Sequence, residues 1–214
     1  MGAKGDGLLT CDPFLYENLA RISGHSLIGG VDEAGRGPLA GPVVAAAVIL
    51  PKVVDLPGVR DSKKMTAKAR EEAFSLIHKQ ALSTGIGVIS HKYIDEFNIL
   101  KASLEAMRQA VLVLEPCPEF LLVDGINTVP LLIPQKCLKK GDQISKSVSA
   151  ASVLAKVYRD RIMCSYHEIY PVYGFDRHKG YGTQRHLAAI KKYGPCPLHR
   201  VTFKGVLSFD KGKN

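Results

Sequence analysis

Apolar residues fall into two rhythms along this chain. Leu100, Leu104, Met107, Val111 and Leu114 recur at steps of 4, 3, 4 and 3, which marks one face of an α-helix. Val148, Ala151, Ala155, Tyr158 and Ile162 step 3, 4, 3 and 4 and predict a longer helix over roughly Ser147 to Tyr170. In that helix Tyr158 and Tyr166 fall on or near the apolar stripe. Arg159 and Asp160 are expected to form local surface ion pairs, which are worth little. Ala69, Ala73, Leu76 and Ile77 predict a helix to about Leu82 behind Thr66 as N-cap. A last helix is expected from Thr183 to Tyr193, and a short one from Pro13 to Arg21. The second rhythm is continuous and β-branched. It predicts strands at Leu27 to Val31, Val43 to Leu50, Gly85 to Ser90 and Phe120 to Val123, with a weaker fifth at Leu131 to Ile133. The turn Gly35-Arg36-Gly37-Pro38 joins the first two. Two antiparallel strands followed by alternating helices and strands give an α/β domain, a mixed sheet with helices on both faces. Such sheets place function beyond the carboxyl ends of their central strands.

Composition narrows the setting. The chain has 214 residues, 46% hydrophobic and 23% charged, enough to bury a core without disulfides or a structural metal. The pattern divides it into an appended segment over 1–25, a catalytic-sized domain over 26–205 with its C-terminal helices, and a basic tail over 206–214. The longest apolar stretch, Pro42 to Pro51, is about half a membrane-spanning helix. The glycine-rich start, Met1 to Thr10, shows no secretory signal, so a cytoplasmic protein without membrane contact is expected, monomeric by default. Cys11, Cys117, Cys137, Cys164 and Cys196 form no C-x-x-C pair, which leaves zinc ribbons unsupported and favours free thiols. Lys plus Arg number 29 against 20 acids, a net +9, which suits a polyanion such as nucleic acid.

The acidic residues carry the candidate chemistry. Asp32 and Glu33 end the first strand, Asp124 ends the fourth, and Asp142 stands just ahead of the long helix. If the strands of Asp32 and Asp124 are neighbours, their carboxylates converge. Convergent carboxylates repel, so one keeps a proton or the group recruits a cation. Mg²⁺ or Mn²⁺ prefers such oxygen ligands, and a pair of ions can clamp a phosphoryl displacement. Each carboxylate taken alone reads more readily as a turn former or helix cap than as a metal ligand, Asp142 above all. Gly35-Arg36-Gly37-Pro38-Leu39-Ala40 fits the G-x-G-x-x-A dinucleotide pattern. That fingerprint must open a helix, however, and here a β-branched run follows. What remains is a turn whose backbone N–H groups can approach a ligand, with Arg36 beside it.

Gly30-Val31-Asp32-Glu33-Ala34-Gly35-Arg36-Gly37-Pro38 resembles the signature of ribonuclease HII, the type 2 ribonuclease H family. The likeness continues through Asp61-Ser62-Lys63-Lys64, Val123-Asp124-Gly125, Lys140-Gly141-Asp142, Ala150 to Val157, Arg159-Asp160 and His178 to Thr183. These blocks keep the family's order over about residues 28 to 200. The resemblance implies a ribonuclease H-like mixed five-stranded sheet with helices. It implies an endonuclease that cuts RNA in RNA–DNA hybrids and at single ribonucleotides embedded in duplex DNA, leaving 5′-phosphate and 3′-hydroxyl ends. By position, Asp32, Glu33, Asp124 and Asp142 match the metal-binding carboxylates, served by Mg²⁺ or Mn²⁺. Gly35, Arg36 and Gly37 match the motif at the RNA–DNA junction, and Tyr181 the tyrosine that packs there. Residues 199–206 resemble the family's tail loosely, and residues 1–25 match none of it.

Lys63 and Lys64 read either as solvated or as phosphate contacts; the family context favours the second. Of seven histidines only His178, beside Lys179-Gly180-Tyr181, stands near a motif. Two other function classes compete. A hybrid-binding module would leave the carboxylates idle, and a small-molecule phosphatase would need neither the +9 charge nor the junction tyrosine.

Overall fold

The computed structural model describes residues 12–59 and 62–207. The expected residues 1–11 of the appended segment, Asp61, and residues 208–214 of the tail lie outside them. The elements are α1 (Leu15–Ile22), β1 (Ile28–Ala34), β2 (Val43–Ile49), α2 (Ala67–Gln80), β3 (Ser83–Ile89), α3 (His91–Phe97), α4 (Ile99–Leu112), β4 (Phe120–Asp124), β5 (Gln135–Leu138), α5 (Gly141–Ile144), α6 (Lys146–Ile169), α7 (Phe175–His178) and α8 (Gln184–Tyr193). The expected caps form. Thr66 Oγ1 accepts from Ala69 N–H, and Thr183 Oγ1 from His186 N–H, satisfying donors that a helix start leaves open.

The five strands form one sheet in the order β3-β2-β1-β4-β5. β1 pairs antiparallel with β2 and β2 with β3, whereas β1–β4 and β4–β5 are parallel. β2 is buried on both sides. Val43, Ala45, Ala47 and Ile49 pack with Ala102, Ala106 and Ala110 of α4. Ala46 and Val48 pack with Ile77 of α2 and Ala151 and Leu154 of α6. Small side chains on both layers bring helix and sheet close. At Gly30 the approach is so tight that a Cβ would lie 2.2 Å from the Ser147 carbonyl carbon. Among the described residues no helix is long and apolar enough to cross a membrane.

The weak fifth strand is misplaced in the sequence reading: it runs over Gln135–Leu138, not Leu131 to Ile133. Pro130 and Pro134 flank that tripeptide, and proline cannot donate to a ladder. The loop wraps instead around Gln135, whose Nε2 donates to the carbonyls of Val129, Leu131 and Ile133. Leu132 is left fully exposed.

Two expectations on α6 also fail. Tyr158 lies on its exposed side. Arg159 is not a surface ion-pair partner but 1% exposed, pointing into backbone carbonyls; only Asp160 pairs locally, with Lys156 Nζ at 2.8 Å. A stripe of 3.6 periodicity cannot distinguish an apolar neighbour from a wall of carbonyls.

Candidate active site

The parallel pairing of β1 and β4 sets the site. Val31 faces Val123 in register, so the next residues, Asp32 and Asp124, lie side by side at the carboxyl ends of adjacent strands. Asp124 Oδ1 accepts from Gly141 N–H at 2.6 Å, which brings the start of α5 and Asp142 to the same corner. Asp32 is 4% exposed. Its Oδ1 accepts from Glu33 N–H at 2.7 Å, and it is hydrogen-bonded to the Ser152 side chain. Ser152 Oγ lies 2.9 Å from Ser62 Oγ, so α6 ties Asp32 to the segment that presents Lys63 and Lys64.

Negative charge is concentrated at this corner. Burial raises the Asp32 carboxyl well above its usual range, and the neighbouring Glu33 and Asp124 carboxylates push it further. Burial also raises Glu33, against the opposing pull of Arg36, whose Nη1 lies 3.3 Å from Glu33 Oε1, and of Lys63. Among the described residues no three His, Cys, Asp or Glu side chains close into a ready-made cage. The candidate donor set is all oxygen and is held by hydrogen bonds from the chain at Asp32 and Asp124, which fits hard divalent ions.

The structure also locates the remaining candidates. Glu33, Arg36, Asp124 and Asn127 line one cleft with α4. Lys64 and Asp142 line a separate cavity with Lys146 and Ser149, and Lys63 and Lys64 are both exposed. Arg36 and Gly37 are exposed. Gly37 adjoins Tyr181, since a Cβ built on it would lie 3.6 Å from Tyr181 Cε1. Tyr181 is 45% exposed, with Lys156 Nζ 6.0 Å from its ring centroid. Gly35 is different. It is buried at φ +102, and a Cβ there would meet Arg159 Nε at 2.1 Å, so glycine at this position is required by what lies beneath the turn.

His178 turns out to be structural. Its ring stacks on His186 at 4.5 Å, and its Nε2 bonds the Tyr173 carbonyl. His186 and His199, which sequence spacing did not single out, are buried with Nε2 atoms 3.0 Å apart. Cys196 N–H donates to His199 Nδ1. Neutral His199 therefore carries its proton on Nε2 and donates to His186, and His186 Nδ1–H donates to the Tyr181 carbonyl at 2.9 Å.

Comparison with known proteins gives the family and the fold. The ribonuclease HII family model matches residues 29–206. A ribonuclease HII of Geobacter sulfurreducens is 58% identical over 191 residues, covering 89% of this chain and 88% of that protein. One of Syntrophobacter fumaroxidans is 52% identical over 206 residues, covering 96% and 88%. Among solved structures, ribonuclease H2 from Pyrococcus horikoshii OT3 superposes with a TM-score of 0.73 at 28% identity, covering 84% of this chain and 95% of that one. The ribonuclease HII in a PCNA complex from Archaeoglobus fulgidus gives 0.70 at 26%, covering 83% and 95%. The chain belongs to the ribonuclease HII family and is a ribonuclease H hydrolase.

Proposed function

We propose that this enzyme hydrolyses phosphodiesters on the RNA strand of RNA–DNA hybrids and at single ribonucleotides embedded in duplex DNA, leaving 5′-phosphate and 3′-hydroxyl ends. The observation that supports the reading is the juxtaposition of carboxylates at two parallel strand ends with an exposed turn and tyrosine. Asp32, Glu33, Asp124 and Asp142 would hold two Mg²⁺ or Mn²⁺ ions, which supply activation of the attacking water and neutralisation of charge on the leaving 3′-oxygen. The chain's own contribution is placement. Ser152 and Glu33 N–H fix Asp32, and Gly141 N–H fixes Asp124, so the ligands need little reorganisation.

Recognition falls to the turn. Among the described residues the N–H groups of Arg36 and Gly37 donate no hydrogen bond to the chain's own backbone, and both residues are exposed. Two successive open amides can bind an oxygen. Tyr181 beside them offers a flat face for the sugar or base and a hydroxyl for the ribose. The 2′-hydroxyl is the one group that marks a ribonucleotide within DNA, so discrimination must pass through it. Gly35 supports the turn from below, and Lys63 and Lys64 would steady the phosphates. The protein is expected to act as a monomer in the cytoplasm. The test is incubation with Mg²⁺ or Mn²⁺ and an end-labelled RNA–DNA hybrid, followed by analysis of the product termini. Cuts confined to the RNA strand with 3′-hydroxyl ends support the reading. No cutting, or equal cutting of the DNA strand, defeats it.

A further inference from the structure

Beneath the exposed turn lie two arginines that, among the described residues, no carboxylate partners directly. Arg200 is 0% and Arg159 1% exposed. A buried charge without partners is costly, yet among the described residues these guanidiniums donate only to backbone carbonyls. Arg200 Nη2 donates to Gly35 O at 2.6 Å, Nη1 to Arg36 O at 3.0 Å, and Nε to Gly41 O at 3.1 Å. Arg159 Nε donates to Pro42 O at 3.0 Å, Nη2 to Ala40 O at 3.2 Å, and Nη1 to Lys179 O at 3.0 Å. The rigid five-donor fork of arginine is what such a carbonyl set requires; a lysine has three donors on one atom.

Peptide planarity turns these contacts into a statement about the outer surface. In a trans peptide the C=O of one residue and the N–H of the next point in opposite directions. Arg200 holds the Gly35 and Arg36 carbonyls inward, so the Arg36 and Gly37 N–H groups must face outward, away from the guanidinium. Arg159 links the same turn, through Ala40 and Pro42, to Lys179, two residues before Tyr181. We propose that Arg200 and Arg159 are positioning residues for ribonucleotide selectivity: they hold the two outward amides and Tyr181 in one fixed geometry. The proposal rests on the turn and Tyr181 being the ribose-reading elements. It explains why a strongly basic protein hides two of its arginines from the polyanion it binds.

Arg200→Lys keeps the charge and loses the fork. The experiment measures affinity by fluorescence anisotropy, in EDTA, for two otherwise identical duplexes, one all DNA and one carrying a single ribonucleotide, with thermal melting of each protein alongside. The parent is expected to prefer the ribonucleotide duplex by roughly three- to tenfold, the range of one or two hydrogen bonds. In Arg200→Lys that preference should fall towards one while affinity for the all-DNA duplex stays within about twofold. A folded Arg200→Lys with the parent's preference overturns the proposal, as does a loss of affinity for both duplexes in equal proportion. Should Arg200→Lys fail to fold, Arg159→Lys is judged by the same two results. Equal affinities in the parent would instead defeat the ribose-reading assignment, and the positioning role with it.

Discussion

Asp32 sits where burial and two neighbouring carboxylates oppose its charge. Asp32→Asn removes the repulsion and keeps an oxygen that can accept from Glu33 N–H. The metal-free variant should therefore melt above the parent at neutral pH while losing its cutting activity. The sign follows from the raised carboxyl: the folded parent holds its proton more tightly than the unfolded chain, so its penalty exists only at higher pH and shrinks as pH falls towards 3.8. Melting curves in EDTA at pH 7 and pH 4 check this, and an Asp32→Asn protein less stable than the parent at pH 7 would contradict it. Tyr181 separates packing from hydrogen bonding. Tyr181→Phe should lower kcat/KM on a single-ribonucleotide duplex by the equivalent of about 0.5–1.5 kcal/mol, and Tyr181→Ala by more. Activity lost only in step with lost folding would make Tyr181 a mere loop anchor. Asp32 was legible as a candidate because acids at strand ends stand out locally, whereas Tyr181 was singled out only through the family resemblance. Arg159 and Arg200 were not legible, since their partners are backbone carbonyls, all but that of Lys179 more than a hundred residues away, which carry no side-chain signature.

At the scale of elements, α1 shows how a segment without family likeness is fastened to the site. Glu17 is 1% exposed, and its Oε1 accepts from Ser145 Oγ, Ser147 N–H and Ser147 Oγ at 2.7, 2.8 and 2.7 Å. These donors sit at the start of α6, where open N–H groups favour an anion. Glu17→Ala strands them, and should lower stability by about 2–4 kcal/mol in urea unfolding; a change below about 0.5 kcal/mol would mean α1 is dispensable. The long helices and central strands were readable because their apolar rhythm coincides with burial. Helix α3 was not read: its seven residues hold one buried side chain, Ile94. Its role is polar, with Asp95 accepting from Val201 and Thr202 N–H at 3.0 Å each. β5 went astray because burial of Val129 and Gln135-centred hydrogen bonding, rather than hydrophobic alternation, decides where that strand begins.

Across the whole molecule, buried histidines set the acid limit. Burial lowers His186 and His199 to about 4 from an ordinary 6.5, helped by His178 beside both and by His91 beside His199. His78, His91 and His178 are shifted the same way. The unfolded chain takes up protons that the folded one refuses, so stability is lost as pH falls from about 6.5 to about 4. For the His186–His199 pair alone the slope reaches up to about 2.7 kcal/mol per pH unit. Urea unfolding across that window measures it, and a flat profile would contradict neutral, hydrogen-bonded histidines. The net charge of +9 predicts that log K for duplex binding falls with log salt at a slope near −4 to −5 if about five phosphates are neutralised; a slope near zero would place the charge away from the substrate. The proposed function has carboxylates at two parallel strand ends cutting where a neighbouring turn finds a 2′-hydroxyl. It is tested most directly by mapping Mg²⁺-dependent cuts on a labelled duplex with one ribonucleotide, for the parent and for Asp124→Asn. The account predicts a single cut at the ribonucleotide by the parent, none on the all-deoxy control, and a loss of roughly three orders of magnitude or more in Asp124→Asn. Near-normal cutting by a folded Asp124→Asn, or parental cutting that ignores the ribonucleotide, would contradict it.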